Sequence, residues 1–469
     1  MTSVTTIRKR DVFVDDGFMY VFDFLSRDGK KRFWRCRNRN ICKARIHTNV
    51  KDLTVIKKIN DHSHDLDAAK IEAEVAVTNI KIRSAQTLES TSIVLNEGTS
   101  GLSQAAKGTI PSICALKKKF RRIRQQIVTA PPASTDLISL IIPKTYSMFS
   151  SSQGVTEKFL LDDSGPGPDR ILIFGRSSSL NILERSKVWF CDGTFKIAPP
   201  LFAQVYVILA KDIGGVHPLI YALLPNKQAK TYHRLFNRLK QLKPNLCPDF
   251  ISCDFEKAAI SSLKDIFINA QINGCLYHLT KNIRLKLCSL GLMTNYNNNA
   301  DFALSVKMIT AIAFVKIDDI DKVVDELAEY LPDELQDLLD WFEDNYIGRK
   351  NRSKSGSRPA LSPPILWNVH DRVINDQDRT NNYAEAANRR LNTEMGVSHP
   401  TLWSFILSLH KIQSGRDTYY SQLEAGKSPP KKLKKYLDVD KRLKKIVSNY
   451  NSYNYISFLR GIAINLSLK

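Results

Sequence analysis

Cys36 and Cys42 are separated by five residues, and nineteen residues further along come His62 and His64. Two thiolates and two imidazoles are the closed tetrahedral donor set that structural Zn²⁺ takes, with no position left open for catalysis. His62 and His64 lie two apart, so an extended strand turns both rings to one face, within reach of one ion. The Cys-x5-Cys and His-x-His spacings lie outside those of the ββα finger, so a helix inserted into the major groove of DNA is not implied. On spacing alone, two buried thiols and two surface imidazoles are the alternative.

A second set of residues is acidic and widely spread. Asp192 follows the apolar run Val188 to Cys191, Asp254 follows Phe250 to Cys253, and Glu385 lies on a helical stretch after Arg379-Thr380-Asn381-Asn382. A carboxylate just past a buried strand is exposed at the end of a sheet. Two from neighbouring strands and one from a covering helix can hold two Mg²⁺ ions about 4 Å apart, the arrangement that activates an attacking oxygen and stabilises the leaving one in phosphoryl transfer. Singly, each acid has a plainer reading: Asp192-Gly193 as a turn, Asp254-Phe255-Glu256 as a helix N-terminus, and Glu385 as a solvated helix face.

These residues need elements to hold them. Around the first acids the sequence predicts strands at 188–191, 203–209 and 219–224, a helix over 232–242, a strand at 250–253, a helix over 257–267 and a strand at 272–276. From Gly291 the spacing turns helical, over 302–314, 320–330 and 335–346, and again over 382–391 and 402–413. Lys350 to Ser357 reads as an exposed basic loop. The small polar residues from 67 to 135 read as a linker that carries a basic helical segment, Lys117 to Arg124. That segment is a nuclear-import signal, a DNA-contacting arm or a solvated helix face. Cys191, Cys247, Cys253 and Cys288 are expected as small core residues.

Of 469 residues, 69 are Lys or Arg and 47 Asp or Glu, a net +22, while 43% are hydrophobic. That is enough apolar material for a large core, so disorder throughout is excluded, and the positive balance favours a polyanionic partner such as nucleic acid. Nine cations against Asp28 alone lie between Arg27 and Arg45, and nine against Asp438 and Asp440 between Lys427 and Lys445. No apolar run approaches the roughly 18 residues of a membrane span, and the stretch from Met1 to Phe18 holds no apolar core of an export signal. No membrane partner is expected. Eight cysteines are too few for a disulfide scaffold and point to a reducing compartment.

The stretch Tyr20-Val21-Phe22, Gly29 to Cys36, Cys42 to Arg45 and Asp61 to His64 resembles the FLYWCH-type zinc finger. The resemblance implies a small β-rich domain over 8–66 with Cys36, Cys42, His62 and His64 on zinc and a DNA-binding face. About sixty residues make a core too small to be secure without a metal, and Arg32, Arg35, Arg37, Arg39, Lys43 and Arg45 supply phosphate contacts. Phe33 and Trp34 are core or base-stacking residues, with Trp34 expected in the core.

Further on, Asp192 to Pro200, His217 to Lys227, Cys253 to Ala259, Gly274 to His278 and Arg379 to Glu385 together resemble the Mutator-like element (MULE) transposase domain. The resemblance implies a ribonuclease-H-like α/β core over 136–425 with Asp192, Asp254 and Glu385 as the acids of a DDE transposase. Two Mg²⁺ or Mn²⁺ ions would serve them. It also implies an all-α insertion at about 290–375, which fills the 131 positions from Asp254 to Glu385. Cys275 and His278 fall on the family's Cys-x2-His element and read as a structural or DNA-positioning pair, because two ligands do not complete a zinc site. Ala386-Ala387-Asn388 departs from the bulkier residues usual after the Glu. The C-terminal Cys/His motif of many plant members is absent, so DNA targeting falls to the finger and to a basic tail over 426–469. The function expected is a nuclear transposase acting on the terminal inverted repeats of double-stranded DNA, as a homo-oligomer; the alternative is a domesticated DNA-binding regulator that does not cut.

Overall fold

Alternating inward and outward side chains build the first sheet. In the computed structural model, residues 4–5, 11–87, 89, 91–127, 131–132, 134–152, 155–350 and 357–467 are described. They fall into two units, Met1–Pro132 and Ala133–Lys469. The first opens with six strands, β1 (Val4–Thr5), β2 (Asp11–Asp15), β3 (Phe18–Leu25), β4 (Lys31–Cys36), β5 (Arg45–Asn49) and β6 (Val55–Ile59), paired antiparallel in chain order. Trp34, Cys36, Ile46 and Thr48 point inward while Arg45 points out. Trp34 is 1% exposed, packs with Phe13, Tyr20 and Ile46, and donates its indole N–H to Thr48 Oγ1 at 2.9 Å. Trp34 is thus a core residue, as its neighbours in sequence lead one to expect.

Residues 67–135, expected as a linker, instead hold four helices: α1 (Ala68–Gln86), α2 (Thr91–Ser100), α3 (Gln104–Thr109) and α4 (Ile113–Ile127). Ile80, Val94, Leu95, Leu116 and Phe120 close a small core between them. Composition misled here because the inward face of α1 is largely alanine and α2 carries Gly98 in its interior. A Cβ on Gly98 would lie 2.2 Å from Ile80 Cγ1, so this glycine permits close helix packing and is no loop signal. The basic segment lies on α4, whose Leu116 and Phe120 turn inward.

The second unit is built on a sheet. Its leading elements are α5 (Lys144–Ser147), β7 (Met148–Ser152), β8 (Val155–Lys158), β9 (Leu160–Asp163), β10 (Leu172–Phe174) and α6 (Ser177–Arg185). Next come β11 (Val188–Thr194), β12 (Gln204–Asp212), β13 (Gly215–Leu224), α7 (Ala229–Leu242), β14 (Phe250–Cys253), α8 (Lys257–Ile266) and β15 (Gln271–Gly274). The strand order is β15-β14-β11-β12-β13-β10-β9, with β11, β14 and β15 mutually parallel and the other pairings antiparallel. On β11, Trp189 and Cys191 face α6, α7 and α8, while Phe190 faces the opposite layer. Cys191 and Cys253 are core residues as expected, whereas Cys247 and Cys288, expected there too, are exposed.

After the sheet come α9 (Leu276–Ser289), α10 (Met293–Asn298), α11 (Ala300–Ala311), α12 (Ile320–Tyr330) and α13 (Gln336–Phe342). Strands β16 (Gly348–Lys350) and β17 (Ser357–Pro359) pair antiparallel, and most of the expected basic loop between them lies outside the described residues. Then follow α14 (Pro364–Trp367), α15 (His370–Ile374), α16 (Asn382–Met395), α17 (Leu402–Glu424), α18 (Lys434–Ser448) and α19 (Tyr455–Ile464). Helices α16 and α17 cover the face of the sheet that carries Phe190. The expected basic tail is not a tail: Leu443, Val447, Phe458, Leu459 and Ile462 of α18 and α19 are buried in the same core as α11, α12 and α13. The lysines of α18 hid an amphipathic pattern, since they occupy the outer face of a helix whose Leu443 and Val447 turn inward, while α19 is apolar and holds no lysine. Among the described residues no helix is long and apolar enough to cross a membrane.

Candidate functional site

In the first unit, Cys36 closes β4 and Cys42 follows the turn after it, both buried. His62 and His64 lie beyond β6 in irregular chain, not in the extended strand expected, and a bend at Ser63 brings both rings to the thiols. Cys36 Sγ is 3.2 Å from His64 Nε2, Cys42 Sγ 3.3 Å from His62 Nδ1, and the two ring nitrogens are 3.3 Å apart. A tetrahedral zinc with bonds of roughly 2.0–2.3 Å spaces its ligands at roughly 3.3–3.8 Å, so the four atoms fit one ion. The remaining nitrogens are held from behind: His62 Nε2 meets Tyr20 Oη at 2.8 Å, and His64 Nδ1 meets the Asp65 carbonyl at 3.0 Å. Such outer contacts fix which nitrogen faces the metal. Burial and the neighbouring His64 hold His62 below its usual range, which keeps the ring in the neutral, ligating form.

In the second unit, β11 and β14 run parallel with Phe190 opposite Ser252. Two residues further on stand Asp192, within β11, and Asp254, the residue just past the end of β14. Asp192 shares the face of Phe190, under α16, and is 9% exposed. At Gly193, which follows it, a Cβ would lie 2.4 Å from Gln204 Oε1, so any larger residue would displace the Gln204 side chain; the Asp-Gly pair is strand, not turn. From α16, Asn388 donates its amide to Asp192 Oδ2 at 2.8 Å, and the Gly193 N–H donates to Oδ1 at 2.9 Å. Burial, then the nearby Asp254, push the Asp192 carboxyl up to about 7 against these two hydrogen bonds, and Glu385 adds to the rise.

Glu385 sits one turn before Asn388 on α16, and Asn392 follows one turn later, donating to Thr194 Oγ1 at 3.2 Å. The helix is pinned at its start by the fully buried Asn381, whose amide donates to the Cys191 carbonyl at 2.8 Å and whose N–H points at Cys275 Sγ at 3.0 Å. Burial raises the Glu385 carboxyl, with Lys281 and Arg389 opposing. Cys275 precedes α9 and His278 lies in its first turn, with His278 Nδ1 3.8 Å from Glu385 Oε1. So the chain brings Asp192, Asp254, Glu385, Cys275 and His278 to one end of the sheet. Sequence reasoning missed Asn388 and Asn381; the one signal for Asn388 is its position three residues after Glu385, on the same helix face.

Residues 3–64 match the model of the FLYWCH zinc finger domain, and residues 188–282 match that of the MULE transposase domain. The chain carries both domains. The FLYWCH transcription factor 3 of Caenorhabditis elegans is 50% identical over 58 residues, 12% of this chain and 13% of that protein. FLYWCH transcription factor 1 of the same organism is 43% identical over 60 residues, 13% and 11% of the two chains. The chain thus spans about an eighth of these relatives. The MULE match contains Asp192, Asp254, Cys275 and His278 and stops before Glu385, which is attached to that site through α16.

On the FLYWCH finger, the six cations singled out for DNA divide in two. Arg32 pairs with Asp11 at 3.3 Å, Arg35 with Asp23 at 2.6 Å, and Arg37 with Glu74. Arg39, Lys43 and Arg45 are exposed and make no ion pair among the described residues. Phe33 points away from the core, stacked on Phe24 at 4.7 Å and against His47 at 4.3 Å, with Phe24 52% exposed. Burial and the cations Lys57, Lys31 and Arg45 push His47 down, which marks this outer face as electropositive.

Proposed function

We propose that the chain is a metal-dependent DNA transposase acting in the nucleus, in which the finger grips the element's terminal repeats and the MULE domain cuts and joins strands. The observation that carries the reading is the parallel pairing of β11 with β14, which sets Asp192 beside Asp254 at one sheet end while α16 brings Glu385. The order β15-β14-β11-β12-β13, three antiparallel strands followed by two parallel ones, supports a ribonuclease-H-like core. These carboxylates fit Mg²⁺ or Mn²⁺: Glu385 Oε1 is buried without a hydrogen-bond partner, and Asp192 is held up by burial beside other acids. A pair of bound ions supplies activation of the attacking oxygen and stabilisation of the leaving one. The protein's own part is to orient. Asn388 fixes the rotamer of Asp192, Asn381 and Asn392 lock α16 to β11, and Lys281 and Arg389 place positive charge at the mouth, where a phosphate of DNA arrives.

A second reading, a regulator that binds DNA without cutting it, is favoured by the finger's relatives, which are transcription factors. Both are tested by incubating purified protein with labelled terminal-repeat DNA and Mg²⁺ or Mn²⁺, comparing wild type with Asp192→Asn and Glu385→Gln. The transposase reading expects strand cleavage and joining by wild type alone. Equal cleavage by the variants would remove the triad, and tight binding without cleavage by wild type would establish the regulator.

A further inference from the structure

We infer that Cys275, His278 and Glu385 form a second transition-metal site, which takes Zn²⁺ and by doing so withdraws Glu385 from the neighbouring acids. A Cys-x2-His pair alone is an incomplete donor set; the fold supplies the missing carboxylate from a helix more than a hundred residues away. One donor atom from each of the three lies within 4.8 Å of the other two. His278 Nδ1 and Glu385 Oε1 are both buried, neither has a hydrogen-bond partner among the described residues, and they face each other at 3.8 Å. That is too long for a hydrogen bond and only slightly beyond the roughly 3.3–3.6 Å that separates two ligands sharing a tetrahedral ion at bonds of roughly 2.0–2.2 Å, a gap that a small side-chain rotation closes. Cys275 is the N-cap of α9 and His278 the third residue of that helix, positions whose side chains can meet at a helix start, and the Asn381 N–H holds the sulfur in place.

Sulfur, imidazole and carboxylate together select a borderline-soft ion such as Zn²⁺ over Mg²⁺, which prefers oxygen alone. Three protein donors leave a fourth position open, unlike the closed set of the finger. The consequence for activity rests on the proposed role of Glu385: the carboxylate cannot serve zinc and the catalytic ions at once, so zinc competes with Mg²⁺ for the site.

The test uses the full chain equilibrated with Zn²⁺, dialysed and analysed for metal content. Two equivalents per chain are expected in wild type and one in Cys275→Ser and in Glu385→Gln, while Cys36→Ser loses the finger's ion and keeps the second. Where Cys275→Ser does not fold, Glu385→Gln decides, with the second dissociation constant raised at least about tenfold. One equivalent in wild type, or a second equivalent undiminished in both site variants, would overturn the inference. Cleavage in Mg²⁺ with added Zn²⁺ then separates the two proposals. Half-inhibition is expected at zinc levels at least about tenfold higher in Cys275→Ser than in wild type, and equal levels would refute the competition. Loss of the second equivalent in the site variants without any cleavage by wild type would sink the transposase reading and leave the zinc site standing.

Discussion

The most exacting consequence of the geometry concerns Asp192 and pH in the absence of Mg²⁺. Burial, with Asp254 and Glu385 nearby, raises its folded-state pKa from the ordinary 3.8 to about 7. The unfolded chain releases this proton near 3.8 and the folded one keeps it to about 7, so between those values the native state binds the extra proton. Stability then falls as pH rises, by about 1.4 kcal/mol per unit. Over roughly three units the ceiling is about 4 kcal/mol, fully present below pH 4 and lost above pH 7. Asp192→Asn keeps the shape and removes the charge. In Mg²⁺-free urea denaturation of the second unit, the variant should match wild type at pH 4 to within about 1 kcal/mol and exceed it by about 2–4 kcal/mol at pH 8. Added Mg²⁺ should recover most of that gap for wild type and leave the variant unmoved. A difference between the two proteins that is flat from pH 4 to pH 8, or Mg²⁺ stabilising both alike, would refute the claim that uncompensated acids crowd this sheet end.

Three further outcomes follow from the same structure. Chelation, or Cys36→Ser, should unfold β2 to His64 while the sheet of the second unit keeps its thermal transition, a contrast that calorimetry or amide exchange resolves. Leu459→Ala, at a fully buried position of α19, should cost about 2–5 kcal/mol in the unfolding of the second unit; a cost under 0.5 kcal/mol would mean the last helices are not part of the core. Replacing Arg39, Lys43 and Arg45 with Ala should shallow the dependence of DNA affinity on salt by up to about three units of log–log slope, whereas Arg35→Ala, whose guanidinium Asp23 already holds, should change it by less than about one. Equal effects would show that ion pairing within the finger does not limit these side chains.

What could be read from the sequence was set by how local the signal is. Asp192 and Asp254 were legible because each follows an apolar run that reads as strand; Asp254 does stand just past β14, whereas β11 runs on through Thr194 and holds Asp192 within it. The Cys36, Cys42, His62 and His64 cluster was legible by residue type, though not the bend at Ser63 that gathers the rings, since chain reversal in an irregular segment leaves no periodic trace. The helices α1 to α3 went unseen because alanine and glycine packing surfaces lack hydrophobic contrast, whereas α4 was anticipated in its basic segment Lys117 to Arg124. Helix α18 was hidden by its own lysines, which dominate composition while Leu443 and Val447 beneath them do the packing; α19, which holds no lysine, was overlooked because the basic block before it set the reading of the whole segment. Ala386-Ala387-Asn388 looked like a loss against the family's pattern. In the fold, Ala387 packs on the sheet-side core and Asn388 reaches Asp192, so the small residues let α16 come close enough for an amide to touch the acid.

The burial of α18 and α19 against α11, α12 and α13 has a consequence for how the chain is made. Synthesis runs from the N-terminus, and the strands from β11 to β15 are complete before any of those helices is translated. The helical layer beside them stays open at one side until Leu443 to Ala463 have been translated, and Arg379, just ahead of α16, waits for Asp440 as its ion-pair partner. A message cut short near residue 430 would still encode Asp192, Asp254 and Glu385, yet its product would display bare apolar helix faces to the cell. The three acids alone are therefore a poor mark of a chain that folds; the reading frame must also run through α19.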